Sequence, residues 1–207
     1  SEEMTKEWVN KYVDRQILIA PSFGGAGKSV EVGWTHAYEK VIQWTTEEFK
    51  KASETMGAIH VHFPNFVLYG DTPIIYGPNG EGYPASKVPE LFLEKGKITK
   101  ENYKLLQLQV PYLSRVVPKP NCRTIVIYND RIDTTMALKI SDWDNTKTVK
   151  STKAPGDSTV LAQGVKKFCE LYPEVECHNW NDPKKTASHF GMLKNNDYVN
   201  LYFSLSQ

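Results

Sequence analysis

Apolar positions along the chain fall into short β-type runs separated by stretches with helical spacing. Residues 16–20, Gln-Ile-Leu-Ile-Ala, read as a buried strand stopped by Pro21 and the glycines at 24, 25 and 27, and Trp8, Val9, Tyr12 and Val13 before it recur at helical spacing. Residues 30–44 hold His36, Tyr38, Trp34 and Trp44 without clean periodicity. Thr45 and Glu48 have capping-box spacing, which predicts a helix to about Met56 with Gly57 to end it. From 58 to 84 the density of Gly, Pro and aromatic residues predicts short irregular strands and ordered loops. Ser86 and Thr99 are placed to cap helices running to Leu93 and about Leu108. The clearest strand is 123–128; 134–140 and 146–152 read as a hairpin around Asp142-Trp143-Asp144-Asn145. Residues 161–172 read as a helix stopped by Pro173, 175–180 as a last strand and 193–205 as a final helix. Core strands that each feed a helical or loop segment predict an α/β class.

Composition narrows the function classes. With 25 basic and 24 acidic residues the formal charge is +1, so the chain has no electrostatic footprint for nucleic acid, and 40% hydrophobic with 12% aromatic residues is the composition of an ordinary folded protein. A length of 207 residues predicts one domain. The longest aliphatic runs, 17–20 and 125–127, fall far short of the roughly 20 residues of a spanning helix, so any membrane contact is expected to be peripheral. The first residues, Ser-Glu-Glu-Met-Thr-Lys-Glu-Trp, are acidic and polar where a signal peptide has a basic end and an apolar core. They predict either no targeting from this end or a processed chain that begins further upstream. Cys122, Cys169 and Cys177 cannot all pair within one chain and show no C-x-x-C spacing, and no Asn-x-Ser/Thr sequon is present.

Two stretches carry candidate chemistry. Gly24-Gly25-Ala26-Gly27-Lys28-Ser29 follows a strand as a phosphate-binding loop would, but the full spacing needs glycine where Ser22 stands, and Val30-Glu31-Val32-Gly33 is a poor helix start; a tight strand-to-loop turn is the favoured reading. The second is Gly156-Asp157-Ser158-Thr159-Val160 with Ser188-His189-Phe190. An Asp on a turn after one strand and a His on the loop after the next form the acid and base of a Ser-Asp-His hydrolase, and the 32-residue interval leaves room for one helix and one strand. His178 competes with His189 as base but falls in a predicted strand, where a structural role is more natural. His60 and His62 alternate on a strand-like run and would face the same way, but no third ligand is spaced near them, so packing or surface roles are favoured over metal.

Motifs spread over essentially the whole chain share one resemblance. Trp8-Val9-Asn10-Lys11-Tyr12-Val13 followed by Ile17-Leu18-Ile19-Ala20-Pro21-Ser22-Phe23-Gly24-Gly25 resembles a W-x-x-K-Y-I segment and a strand ending A-P-x-G-G. Phe63-Pro64-Asn65, Tyr69-Gly70-Asp71-Thr72-Pro73 and Tyr83-Pro84-Ala85-Ser86 follow, Gly156-Asp157-Ser158-Thr159-Val160 is similar to G-D-G-T-V, and His189 stands three residues before Met192. In this order and combination they resemble the lecithin:cholesterol acyltransferase family, which includes lysosomal phospholipases and phospholipid:diacylglycerol acyltransferases.

The resemblance implies the C-terminal portion of one α/β-hydrolase domain, with a lid at about 26–44 carrying Trp34 and Trp44, and a cap-like irregular region at about 45–120. It implies Asp157 and His189 as acid and base, no metal or other cofactor, phospholipid at a membrane surface as substrate, and a lysosomal, vacuolar or secreted location. Cys169 on a helix would pair with Cys122 or Cys177, as strand-to-helix disulfides do in some members. The family's nucleophile lies in a G-x-S-x-G elbow about one helix upstream of Trp8; nothing in the chain matches it, and Ser22 lacks the flanking glycines. The expected partner is therefore an upstream chain or segment that carries the serine. The other readings are a non-catalytic lipid- or protein-binding remnant and, behind it, a nucleotide-binding protein.

Overall fold

A computed structural model of the chain describes residues 5–37, 45–194 and 196–206. Its strands are β1 (Arg15–Ile19), β2 (Pro73–Tyr76), β3 (Gly82–Pro84), β4 (Arg123–Tyr128), β5 (Ile132–Ile140), β6 (Val149–Gly156) and β7 (Glu176–Asn179). Its helices are α1 (Lys6–Tyr12), α2 (Gly27–Thr35), α3 (Thr46–Thr55), α4 (Gly57–His60), α5 (Phe66–Tyr69), α6 (Val88–Glu94), α7 (Lys100–Gln107), α8 (Val110–Leu113), α9 (Ala162–Leu171) and α10 (Asn196–Ser206). The class is mixed α/β, with one parallel sheet ordered β1-β4-β7 and one mixed sheet ordered β3-β2-β5-β6. Where length alone predicts one domain, the chain divides into two compact units: Ser1–Phe23, Val117–Thr134 and Pro155–Gln207 form the first, Gly24–Val116 and Thr135–Ala154 the second.

In the first unit β4 is the central strand, in parallel register with β1 (Ile17 opposite Ile125) and β7 (Val126 opposite Cys177). Ile125, Val126 and Ile127 are all fully buried, which explains why this strand is a continuous apolar run and not an alternating one. Helix α9 covers the sheet because Val165 and Phe168, one turn apart, pack on Val126 and Val175. Each such side chain contributes roughly 1.5–3 kcal/mol by leaving water. A disulfide joins Cys169 on α9 to Cys177 on β7, and Cys122 is a free thiol.

The second unit is built around aromatic side chains. Trp34, Phe63 and Phe92 are buried, with ring centroids 5.2 Å apart for Trp34 and Phe92 and 5.1 Å for Phe63 and Phe92. Helix α2 forms although Val30, Val32 and Gly33 disfavour helix, because Val30, Val32 and Trp34 are buried and that burial outweighs a few tenths of a kcal/mol per residue of propensity. Helix α3 starts as its capping box predicts: the Thr45 hydroxyl accepts the Glu48 N–H at 3.3 Å and the Glu48 carboxylate accepts the Thr45 N–H at 2.9 Å.

Three expectations are corrected here. Within the stretch expected to hold short irregular strands and loops, β2 and β3 are such strands, but Gly57–His60 and Phe66–Tyr69 form the short helices α4 and α5. His60 and His62 consequently do not alternate on a strand: Val61 and Phe63 donate to the carbonyls of Gly57 and His60, His60 is buried, and His62 bonds the Ala58 carbonyl one turn back. Part of the proposed lid, 27–35, is helix α2, and Trp34 on it is fully buried against Phe92 and Trp143, with the Lys97 ammonium 5.2 Å above its ring. An indole so enclosed presents no surface to a membrane. Trp44 lies outside the described residues.

Candidate active site

Asp157 and His189 both belong to the first unit, on loops that leave its strands, and they meet. The His189 Nδ1 lies 2.9 Å from the Asp157 Oδ2, and the His189 backbone N–H donates to the Asp157 carbonyl at 2.8 Å. The other carboxylate oxygen, Oδ1, accepts the backbone N–H groups of Thr159 at 2.9 Å and Val160 at 2.7 Å. With the Asp157 side chain 3% exposed, a negative charge is held there by hydrogen bonds and not by water. An acceptor at Nδ1 selects the tautomer with its proton on that nitrogen, which leaves Nε2 as the basic atom. The imidazole is itself 25% exposed.

The local sequence makes this turn in an identifiable way. Gly156 is required by close approach: a Cβ there would lie 2.3 Å from the Val160 carbonyl oxygen and 2.4 Å from the Thr134 Oγ1. Ser158 sits at φ +82°, a conformation that L side chains rarely adopt and glycine adopts freely, at the position where the resembled motif has glycine. Thr134 holds it there: its hydroxyl donates to the Ile132 carbonyl at 3.0 Å and accepts the Ser158 N–H at 2.9 Å. Thr134 is absent from the sequence reading because an isolated strand threonine carries no pattern.

The remaining candidates do not join this pair. The His178 Nε2 is 2.7 Å from the Glu176 carboxylate, which also pairs with Arg123. Hydrogen bonds from His178 and then Arg123 hold the Glu176 carboxyl below its usual range, so His178 belongs to a surface charge cluster. Ser22 is half-buried, and among the described residues no serine hydroxyl bonds the imidazole of His189. The glycine stretch is not open to phosphate: residues 24–27 are buried, and Cβ atoms at Gly25 and Gly27 would meet the Phe63 carbonyl at 2.2 Å and the Thr135 carbonyl at 2.5 Å. Lys28 pairs with Glu31 at 3.3 Å instead. The stretch is a tight turn, as expected, but it leads from β1 into helix α2 and not into a loop.

His60 is buried with its Nδ1 unpartnered, and burial lowers its pKa, whereas the nearby Glu54 works in the opposite direction. Among the described residues no three His, Cys, Asp or Glu side chains gather as a metal site. Among them, too, no helix is long and apolar enough to cross a membrane. A cleft of about 620 Å³ in the second unit, flanked by Tyr76, Lys139 and Lys153, includes neither Asp157 nor His189. No protein-family model and no curated protein matches the chain.

Proposed function

We propose that Asp157 and His189 are the acid and base of a serine-dependent lipid acyl hydrolase or acyltransferase, whose nucleophile comes from a segment outside this chain. The observation that carries the reading is the 2.9 Å contact between the Asp157 carboxylate and the His189 Nδ1, with the second carboxylate oxygen occupied by two backbone N–H groups. In the proposed reaction the His189 Nε2 takes the proton of a serine hydroxyl as its oxygen bonds the acyl carbon. The imidazolium then returns that proton to the departing alcohol, and an acyl-enzyme results. Water or an acceptor alcohol next gives its proton to Nε2 as its oxygen bonds the acyl carbon; the acyl–serine bond breaks, the imidazolium returns the proton to the serine oxygen, and the acid or a new ester leaves. Asp157 fixes the tautomer and stabilises the imidazolium.

The lipid assignment has one support beyond the motif resemblance to the lecithin:cholesterol acyltransferase family. Phe190, 61% exposed, stacks edge-on against the His189 ring at 5.2 Å, and Leu193 is 58% exposed, so an apolar surface adjoins the base. β1 forms one edge of the parallel sheet, where a strand of the nucleophile-bearing segment would pair. The Cys169–Cys177 disulfide suits an oxidising compartment, in keeping with a lysosomal, vacuolar or secreted location.

The test is fluorophosphonate labelling and phospholipid deacylation by protein that includes the upstream segment, compared with Asp157→Asn and His189→Ala. Losses of about 10³-fold or more in both variants are expected, and turnover within about threefold of the parent in both overturns the assignment. A second reading, a non-catalytic lipid- or protein-binding chain, draws on the lack of a described serine at His189. It is favoured if no serine in the purified protein is labelled.

A further inference from the structure

One buried side chain ties the end of β4 to the loop that delivers His189. Asn129 follows β4 directly and is 1% exposed. Its Nδ2 donates to the Asp182 carbonyl at 2.8 Å and the Ala187 carbonyl at 3.1 Å, and its Oδ1 accepts the Asp182 N–H at 3.2 Å. Two carbonyl partners on one end and an N–H on the other define which amide atom is nitrogen, and an isosteric Asp would set a carboxylate oxygen against both carbonyls.

Ala187, two residues before His189, is fully buried, and Met192, three residues after it, packs in the same cluster with Ala20. The bonds from Asn129 thus join the later part of this loop to the end of β4, whose residues Ile125, Val126 and Ile127 are all fully buried, and the Trp180 N–H, which donates to the Tyr128 carbonyl at 2.8 Å, joins its start. We infer that Asn129 is a positioning residue that holds His189 against Asp157, an inference that rests on the acid–base reading of that pair. Asn129 touches no reacting atom. It sets the imidazole by setting the main chain on its N-terminal side.

The test is ¹H–¹⁵N NMR of the 207-residue chain, reading the Nδ1–H of His189 in the parent, Asn129→Ala and Asp157→Asn. Asp157→Asn is expected to abolish that signal, and an unchanged signal there overturns the acid–base reading and the inference with it. Given that loss, Asn129→Ala is expected to keep the dispersed spectrum of a folded chain while the His189 Nδ1–H exchanges at least about tenfold faster. A folded Asn129→Ala variant whose His189 signal keeps its shift and exchange rate overturns the inference alone. If Asn129→Ala does not fold, native-state exchange of the parent decides between the alternatives. The amides of Asp182, bound to Asn129, and His189, bound to Asp157, are expected to open together with protection within about threefold, and a spread beyond about tenfold overturns the inference.

Discussion

Removing the Asp157 carboxylate should cost fold stability as well as chemistry, and the two losses can be separated. In Asp157→Ala the N–H groups of Thr159 and Val160, which donate to Oδ1 at 2.9 and 2.7 Å, lose their acceptor, and the His189 Nδ1 loses its partner. A hydrogen bond to a charged group is worth about 1.5–3 kcal/mol, and unpaired buried donors add their own desolvation, so the substitution should destabilise the first unit by about 3–5 kcal/mol. Asp157→Asn keeps a carbonyl oxygen for the two N–H groups and should cost only about 1–2 kcal/mol. Its amide would then face the imidazole, so His189 should move its proton from Nδ1 to Nε2.

Urea unfolding at neutral pH, followed residue by residue with NMR signals from the first unit, measures the first difference. Imidazole ¹⁵N shifts measure the second. If Asp157→Ala unfolds within about 0.5 kcal/mol of the parent, the carboxylate is not what closes the turn. If Asp157→Asn leaves the His189 tautomer unchanged, the pair does not act as an acid orienting a base.

Two further outcomes follow from groups elsewhere. Burial, and secondarily Lys50, holds the His36 pKa at about 4 against an ordinary 6.5, so the folded chain binds that proton less readily than the unfolded one. The associated stability is complete above about pH 6.5 and lost as pH falls toward 4; from pH 7.5 to pH 5 it should decline by about 1–2 kcal/mol, and urea midpoints of His36→Asn should lack that part of the decline. The Cys169–Cys177 disulfide spans 8 residues, so replacing both cysteines with serine should destabilise the first unit by about 2–3 kcal/mol, read as a lower urea midpoint under non-reducing conditions.

Legibility in the sequence tracked how local the determining interaction is. The capping box of α3 uses residues three apart, and the apolar run of β4 reports burial on both faces, so each is visible in a short window. The Asp157–His189 pair was legible through its spacing and motif, although the contact itself is long-range. Helix α2 was not legible, because its valines and Gly33 argue against helix and only the packing of Trp34 with Phe92 and Trp143 overrides them. The glycines at 25 and 27 resemble a phosphate loop by composition, whereas their reason is the close approach of the Phe63 and Thr135 carbonyls, which no local pattern encodes. Asn129 had one weak signal, its place just past the end of a buried parallel strand, where α/β folds build their sites.

Every acceptor on the Asp157 side chain that the loop can reach is in use: Oδ1 by two backbone donors and Oδ2 by the imidazole. One carboxylate therefore closes its own turn and orients the His189 imidazole, and that orientation is set without any contribution from a nucleophile. Asn129 extends that logic to the main chain before His189, and Thr134 to the strained Ser158 after Asp157. A site organised this way presents a fixed Nε2 to whatever approaches it, so pairing with a serine would require little rearrangement of either loop. The same economy makes activity loss in Asp157→Ala ambiguous, since turn and base fail together. Asp157→Asn, which keeps the turn and reverses the tautomer, is the substitution that isolates the chemistry.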